Sequence, residues 1–145
     1  MEILIHIETK KLDNNLKKAM DEYIKRTSPY CRITINTYKS LLKMSPKKGS
    51  KMYHLTPGDS SPTSEGMAQL IQELNLTGIS CIEFIIGETN LEVENFNISS
   101  FSMSEDLTST VLTEKIYRAY TIMNNIVYHK YKAVIQPLFV FALPT

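Results

Sequence analysis

Two short groups near the end of the chain carry side chains able to do chemistry: Glu114 with Tyr117-Arg118-Ala119, and Tyr128-His129-Lys130. A guanidinium such as Arg118 presents a planar fork of donors to a phosphate or a carboxylate. An imidazole such as His129, with an unperturbed pKa of about 6.5, can accept or relay a proton near neutral pH. A phenol such as Tyr128 can stack on a base. Structural readings stand beside these. Glu114 and Arg118 lie one helical turn apart and can pair with each other, and Tyr128 can pack at an interface. Other chemistries find no support. The three histidines and two cysteines show no metal-ligand spacing. No glycine-rich phosphate loop follows a strand, and neither Cys31 nor Cys81 has a histidine at a catalytic spacing.

The element that carries the first group is a helix. Leu112, Ile116, Ala119, Met123 and Ile126 recur at steps of four and three, one face of an α-helix. Asp106 sits near its start, and Ser102 with Glu105 has capping-box spacing, which puts negative charge at the positive helix end. The apolar stripe alone implies only an amphipathic helix packed on a sheet.

The rest of the chain supplies the sheet. Residues 2–8 alternate as a strand, with His6 read as an ordinary half-exposed strand residue. Asp13 can cap a helix whose stripe is Leu16, Ala19, Met20, Tyr23 and Ile24, with Lys25 and Arg26 in the last turn and Ser28-Pro29 as its stop. Cys31 to Tyr38 alternates again. Lys39 to Lys51 is basic and rich in breakers: Lys39, Lys43, Lys47, Lys48 and Lys51 share it with Pro46 and Gly49. It is either a solvated loop or a flap that holds nucleic-acid phosphates. Met52 to Leu55 reads as a short strand, Thr56 to Asp59 as a turn, and Met67, Leu70, Ile71 and Leu74 as the stripe of a second helix. Ile79 to Ile86 is nearly continuous in apolar residues, which suits the middle of a parallel sheet. Asn97 to Phe101 reads as a last short strand before the long helix. In residues 132–145 an extra strand is expected, covered by the sheet or by a second copy. Strands alternating with helices give a single α/β domain with a mostly parallel sheet.

Composition bounds the function. The chain has 145 residues, 43% hydrophobic and 21% charged, with a net charge of +1. So even a balance excludes a generic nucleic-acid coat, and any RNA contact must come from a local patch. Cys31 and Cys81 lie in apolar runs and read as buried free thiols. The chain opens on alternating Ile3, Ile5 and Ile7 rather than a leader pattern, and Leu138 to Leu143 is too short to span a bilayer. The expectation is a cytoplasmic protein without a membrane segment.

Glu114, Tyr117-Arg118-Ala119 and Tyr128-His129-Lys130 together resemble the signature that closes the ribosomal large-subunit pseudouridine N3-methyltransferases of the SPOUT superfamily. Leu55-Thr56-Pro57-Gly58 followed by Ser64-Glu65 and Ala68 is similar to another segment of that family, with Thr56 in place of its aspartate. Where the family has a glycine pair after the central strand this chain has Gly87-Glu88, and where it has a histidine and an arginine at the start of the last helix this chain has Glu105 and Ser109. The resemblance implies a SPOUT-type α/β fold with a C-terminal trefoil knot over residues 1–131, and 132–145 as an apolar extension. It implies a homodimer in which the pocket of one subunit is completed by the other, and methyl transfer from S-adenosylmethionine to N3 of a pseudouridine in 23S ribosomal RNA. The implied cofactor contacts are Leu55, Thr56, Gly58, Ile86, Gly87, Ser99, Phe101 and Met103. The implied catalytic set is Arg118, Tyr128 and His129, and the RNA contacts are Lys39, Lys43, Lys47, Lys48 and Lys130, with no metal. Two other outcomes stay open: a divergent paralogue with another RNA substrate, and a non-catalytic dimeric module that binds RNA or the ribosome.

Overall fold

The computed structural model describes residues 1–126, in which five strands and three helices alternate in the order β1 (Glu2–Glu8), α1 (Asn14–Thr27), β2 (Arg32–Tyr38), β3 (Lys51–Leu55), α2 (Ser64–Leu76), β4 (Cys81–Ile86), β5 (Glu94–Phe96) and α3 (Glu105–Met123). The strands form one sheet in the order β2-β1-β4-β3-β5, every neighbouring pair parallel. All six residues of β4 are buried, as a central strand covered on both faces must be.

Each helix starts where a short polar side chain takes up its free amides. Asp13 accepts from the amides of Asn15 and Leu16, Thr63 from that of Gly66, and Ser104 from that of Leu107. The last corrects the expected Ser102–Glu105 box: Ser104 caps α3, with Glu105 and Asp106 in its first turn. Helix α3 ends at Met123, so Ile126 lies beyond its stripe. It packs between α1 and α2 and rests on β1 and β4. Ile3, Ile5, Ile7, Ile82, Phe84, Leu112, Ile116 and Ala119 meet in this core.

The opposite face of the sheet has a different cover. Because β2 and β3 are separated by β1 and β4, residues 39–50 must cross those two strands to connect them. They form a strap that buries Leu41 to 1% exposure. Beneath it His6, expected to be half-exposed, is buried. Its ring bonds the Tyr38 hydroxyl through Nδ1 (2.8 Å) and Glu83 Oε1 through Nε2 (2.8 Å). Glu83 Oε2 in turn accepts from the Lys47 amide (2.8 Å) and the Ser50 hydroxyl. Burying these groups is tolerable because each has a partner.

Two expected strands shift. β4 begins at Cys81 rather than Ile79, because the Ile79 amide still bonds the Leu74 carbonyl at the end of α2 (3.0 Å). The last strand is Glu94–Phe96, and Asn97–Phe101 is a loop. Asn97 leaves the ladder because its amide group bonds the Thr56 carbonyl (2.7 Å) and hydroxyl (3.2 Å).

Candidate functional site

Ligands of parallel α/β sheets sit beyond the carboxyl ends of the strands, where neighbouring strands send their connections in opposite directions. Here β1 leads to β2 on one side and β4 leads to β5 on the other, so β1 and β4 are that pair. A cleft of about 310 Å³ opens at their carboxyl ends, at the small end of the range for ligand sites. Three loops and two helix residues build it: Leu55, Thr56 and Pro57 after β3; Ile86, Gly87 and Glu88 after β4; Ile98, Ser99, Phe101, Ser102 and Met103 before α3; and Glu105 and Thr108 from α3. Glu8 closes the floor.

Main-chain contacts hold the loops together. The Thr56 amide bonds the Phe96 carbonyl (3.0 Å) and the Gly58 amide bonds the Ser99 carbonyl (2.9 Å). Gly58 stands behind the lining, and its missing side chain makes room for the Asn97 amide, which a Cβ would overlap. The His54 ring bonds the Gly87 carbonyl through Nε2 (2.7 Å), tying β3 to the loop after β4. Gly87 has φ +142°, and a Cβ there would fall 2.5 Å from Glu8 Cβ and 3.1 Å from Leu41 Cδ1. Its need for glycine arises from neighbours within the chain.

The cleft is acidic. Among the described residues that line it, Glu8, Glu88 and Glu105 carry charge and no basic side chain does. Glu88 is exposed, and its amide bonds Glu8. Apolar surface comes from Leu55, Ile86, Ile98, Met103 and Phe101; the last is 69% exposed. Among the described residues no group of three or more His, Cys, Asp or Glu could hold a metal ion, and no helix is long and apolar enough to cross a membrane.

Seven of the eight expected cofactor contacts therefore meet in one cleft: Leu55, Thr56, Ile86, Gly87, Ser99, Phe101 and Met103. Arg118 is not among the lining residues. It lies on α3 about 15 Å beyond Thr108 by helix rise. It is buried, with Nη2 2.5 Å and Nε 3.1 Å from Glu114 Oε1. Tyr128, His129 and Lys130 lie outside the described residues, as does the segment 132–145. Lys39, Lys43, Lys47 and Lys48 are exposed on the strap. Lys47 pairs with Glu2 (2.7 Å), which raises the ammonium pKa and lowers that of the carboxyl. Sequence reasoning passed over Glu8, Ile98 and Thr108. The signal for Glu8 was its place at the last residue of a strand leading into the first loop.

This parallel α/β sheet, with three loops gathered around a cleft at its switch point, is the framework of a methyltransferase family. The family model described as "Predicted SPOUT methyltransferase" matches residues 1–129, and the chain belongs to that family. It is similar to "Ribosomal RNA large subunit methyltransferase H 1" of Thermoanaerobacter sp. (strain X514), 34% identical over 133 residues that cover 90% of this chain and 100% of the relative. "Ribosomal RNA large subunit methyltransferase H" of Clostridium novyi (strain NT) is 33% identical over 159 residues with the same coverage. That of Mycoplasmopsis synoviae (strain 53) is 30% identical over 140 residues, covering 83% of this chain and 94% of the relative.

Proposed function

We propose that this protein is an S-adenosylmethionine-dependent methyltransferase that acts on N3 of a pseudouridine in large-subunit ribosomal RNA, as a homodimer in the cytoplasm. The observation that carries the reading is the cleft at the switch point, lined by seven residues that the resemblance assigns to cofactor contact. Its chemistry suits that ligand. Leu55, Ile86, Ile98 and Met103 would offer apolar surface to an adenine ring, and the main-chain groups of the three loops would supply its hydrogen-bond partners. Glu8, Glu88 and Glu105 favour a ligand bearing sulfonium and ammonium charges. When bound, S-adenosylmethionine supplies the methyl group. The chain's own residues hold the donor in line with the base and receive the ring proton, a role that falls to His129.

Arg118 pairs with Glu114 one turn earlier on α3, outside the lining of its own subunit's cleft. The end of α3 at Met123 stands about 22 Å along the helix from Thr108. That distance favours a dimer in which Tyr128, His129 and Lys130 of one copy serve the cleft of the other. The exposed strap lysines would follow the RNA backbone, and residues 1–131 would carry the knotted methyltransferase domain.

Calorimetry with S-adenosylmethionine, followed by methyl transfer to ribosomes that lack the modification, tests the reading. Binding in the micromolar range and transfer that His129→Ala lowers at least a hundredfold are expected. Arg118→Ala should lose stability along with activity, by about 3 kcal/mol, because it removes one side of a buried ion pair. No binding up to millimolar ligand, with and without ribosomes, would remove the enzyme reading. It would leave a dimeric RNA- or ribosome-binding module, which Ser109 favours. Ser109 is fully buried with its hydroxyl 3.0 Å from Met20 Sδ, filling an α1–α3 contact where the resembling family places an arginine.

A further inference from the structure

The strap and the cleft meet at one side chain. Glu8 ends β1 on the floor of the cleft, and its two carboxylate oxygens serve two different loops. Oε2 accepts from the Leu41 amide of the strap (3.0 Å), and Oε1 accepts from the Glu88 amide of the loop after β4 (3.2 Å). Leu41 and Gly87 complete the joint, since a Cβ on Gly87 would overlap Glu8 Cβ at 2.5 Å and crowd Leu41 Cδ1 at 3.1 Å. At its other end the strap is tied to Glu83 on the neighbouring strand. Lys43 lies between these two carboxylate anchors, Lys39 just before the first and Lys47 at the second; all three are exposed.

Resting on the reading of the cleft as the cofactor pocket and of the strap lysines as RNA contacts, we propose that Glu8 is a positioning residue that couples the two. RNA held on Lys39 and Lys43 steadies Leu41, and through Glu8 it steadies the Gly87–Glu88 wall of the cleft. The physical basis is the split carboxylate. Each oxygen makes a charge-assisted bond to a main-chain amide, and neither loop can leave without unpairing it. A glutamine in its place keeps one acceptor and turns a donor towards the other amide. Glu8→Gln therefore breaks the bridge with almost no change in shape or volume.

Hydrogen exchange of the full chain, free and with poly(U) RNA at low salt, tests this without any methyl transfer. In the free protein Glu8→Gln should speed exchange of the segments around Leu41 and Glu88 together, by about tenfold. In the unsubstituted protein poly(U) should protect residues 39–48 and 87–91. In Glu8→Gln it should protect 39–48 alone. Unsubstituted protein in which poly(U) leaves either segment unprotected would overturn the proposal, and that measurement needs no variant to fold. So would a Glu8→Gln variant that keeps the protection at 87–91. Calorimetry with S-adenosylmethionine separates this proposal from the reading beneath it. Absent binding with the exchange coupling present removes the cofactor and leaves the bridge, whereas binding without the coupling removes the bridge.

Discussion

Glu83 serves three donors at once. It is 1% exposed and accepts from the His6 ring, the Lys47 amide and the Ser50 hydroxyl. Glu83→Ala would leave all three donors without this partner beneath the strap, and urea unfolding should show a loss of about 3 kcal/mol. Gly87→Ala tests the other side of the same joint. Its added Cβ meets Glu8 Cβ at 2.5 Å on a backbone at φ +142°. The expected loss is about 2 kcal/mol in the same assay, together with weaker binding of S-adenosylmethionine by calorimetry. In the core on the helix-covered face, burial also acts on a phenol and a thiol. Tyr53 is pushed up to about 12, and Cys31 is raised too, in both cases chiefly by burial. His6 and Glu83 were present in the sequence as two polar residues in strands. That they face each other was not legible, because they are 77 positions apart and only the parallel pairing of β1 with β4 brings them together.

At the scale of elements, the first turn of α3 is where the helix order is enforced. Asp106 Oδ1 accepts from its neighbour Leu107 (3.1 Å), and Oδ2 accepts from the Asp13 amide at the start of α1 (3.1 Å). The Ser104 hydroxyl, followed by these main-chain amides, holds the Asp106 carboxyl below its ordinary pKa. A carboxyl whose pKa is lowered on folding stabilises the fold above its unfolded value of about 3.9, and loses that contribution as pH falls through the folded value. Its loss from the first turn and from the Asp13 amide should cost about 1 kcal/mol in Asp106→Asn at pH 7, and urea unfolding at each pH should show the difference fading as pH falls below the unfolded carboxyl's range. The existence of all three helices was legible from stripes and caps. The cap of α3 was misplaced from Ser104 to Ser102 because two serines with acids nearby offer similar spacing, and only the loop path decides which one meets a free amide.

The whole molecule raises the question of the second copy. The proposed dimer predicts that the chain sediments as a dimer at micromolar concentration. Removing residues 133–143 should shift it towards monomer in analytical ultracentrifugation, and an unchanged dimer would refute the part assigned to that segment. A dimer also predicts complementation. A mixture of His129→Ala and Gly87→Ala proteins should recover part of the activity, because one mixed site keeps both intact groups; no recovery would place cleft and histidine in the same subunit.

The amino-acid sequence by itself determined the alternation of strands and helices and the central place of β4, because periodicity, caps and turn residues act over a few positions; the loops that line the cleft followed only from the resemblance to the family. The motif spacing was enough to point to the family. Only the tertiary structure decided that the basic segment is a strap over buried His6 and Glu83. It alone put Glu8 in the cleft lining, bonded to Glu88 at 80 positions' remove. Those outcomes depend on strand order and on which backbone amides remain unpaired once the sheet has formed, and neither leaves a mark in local spacing.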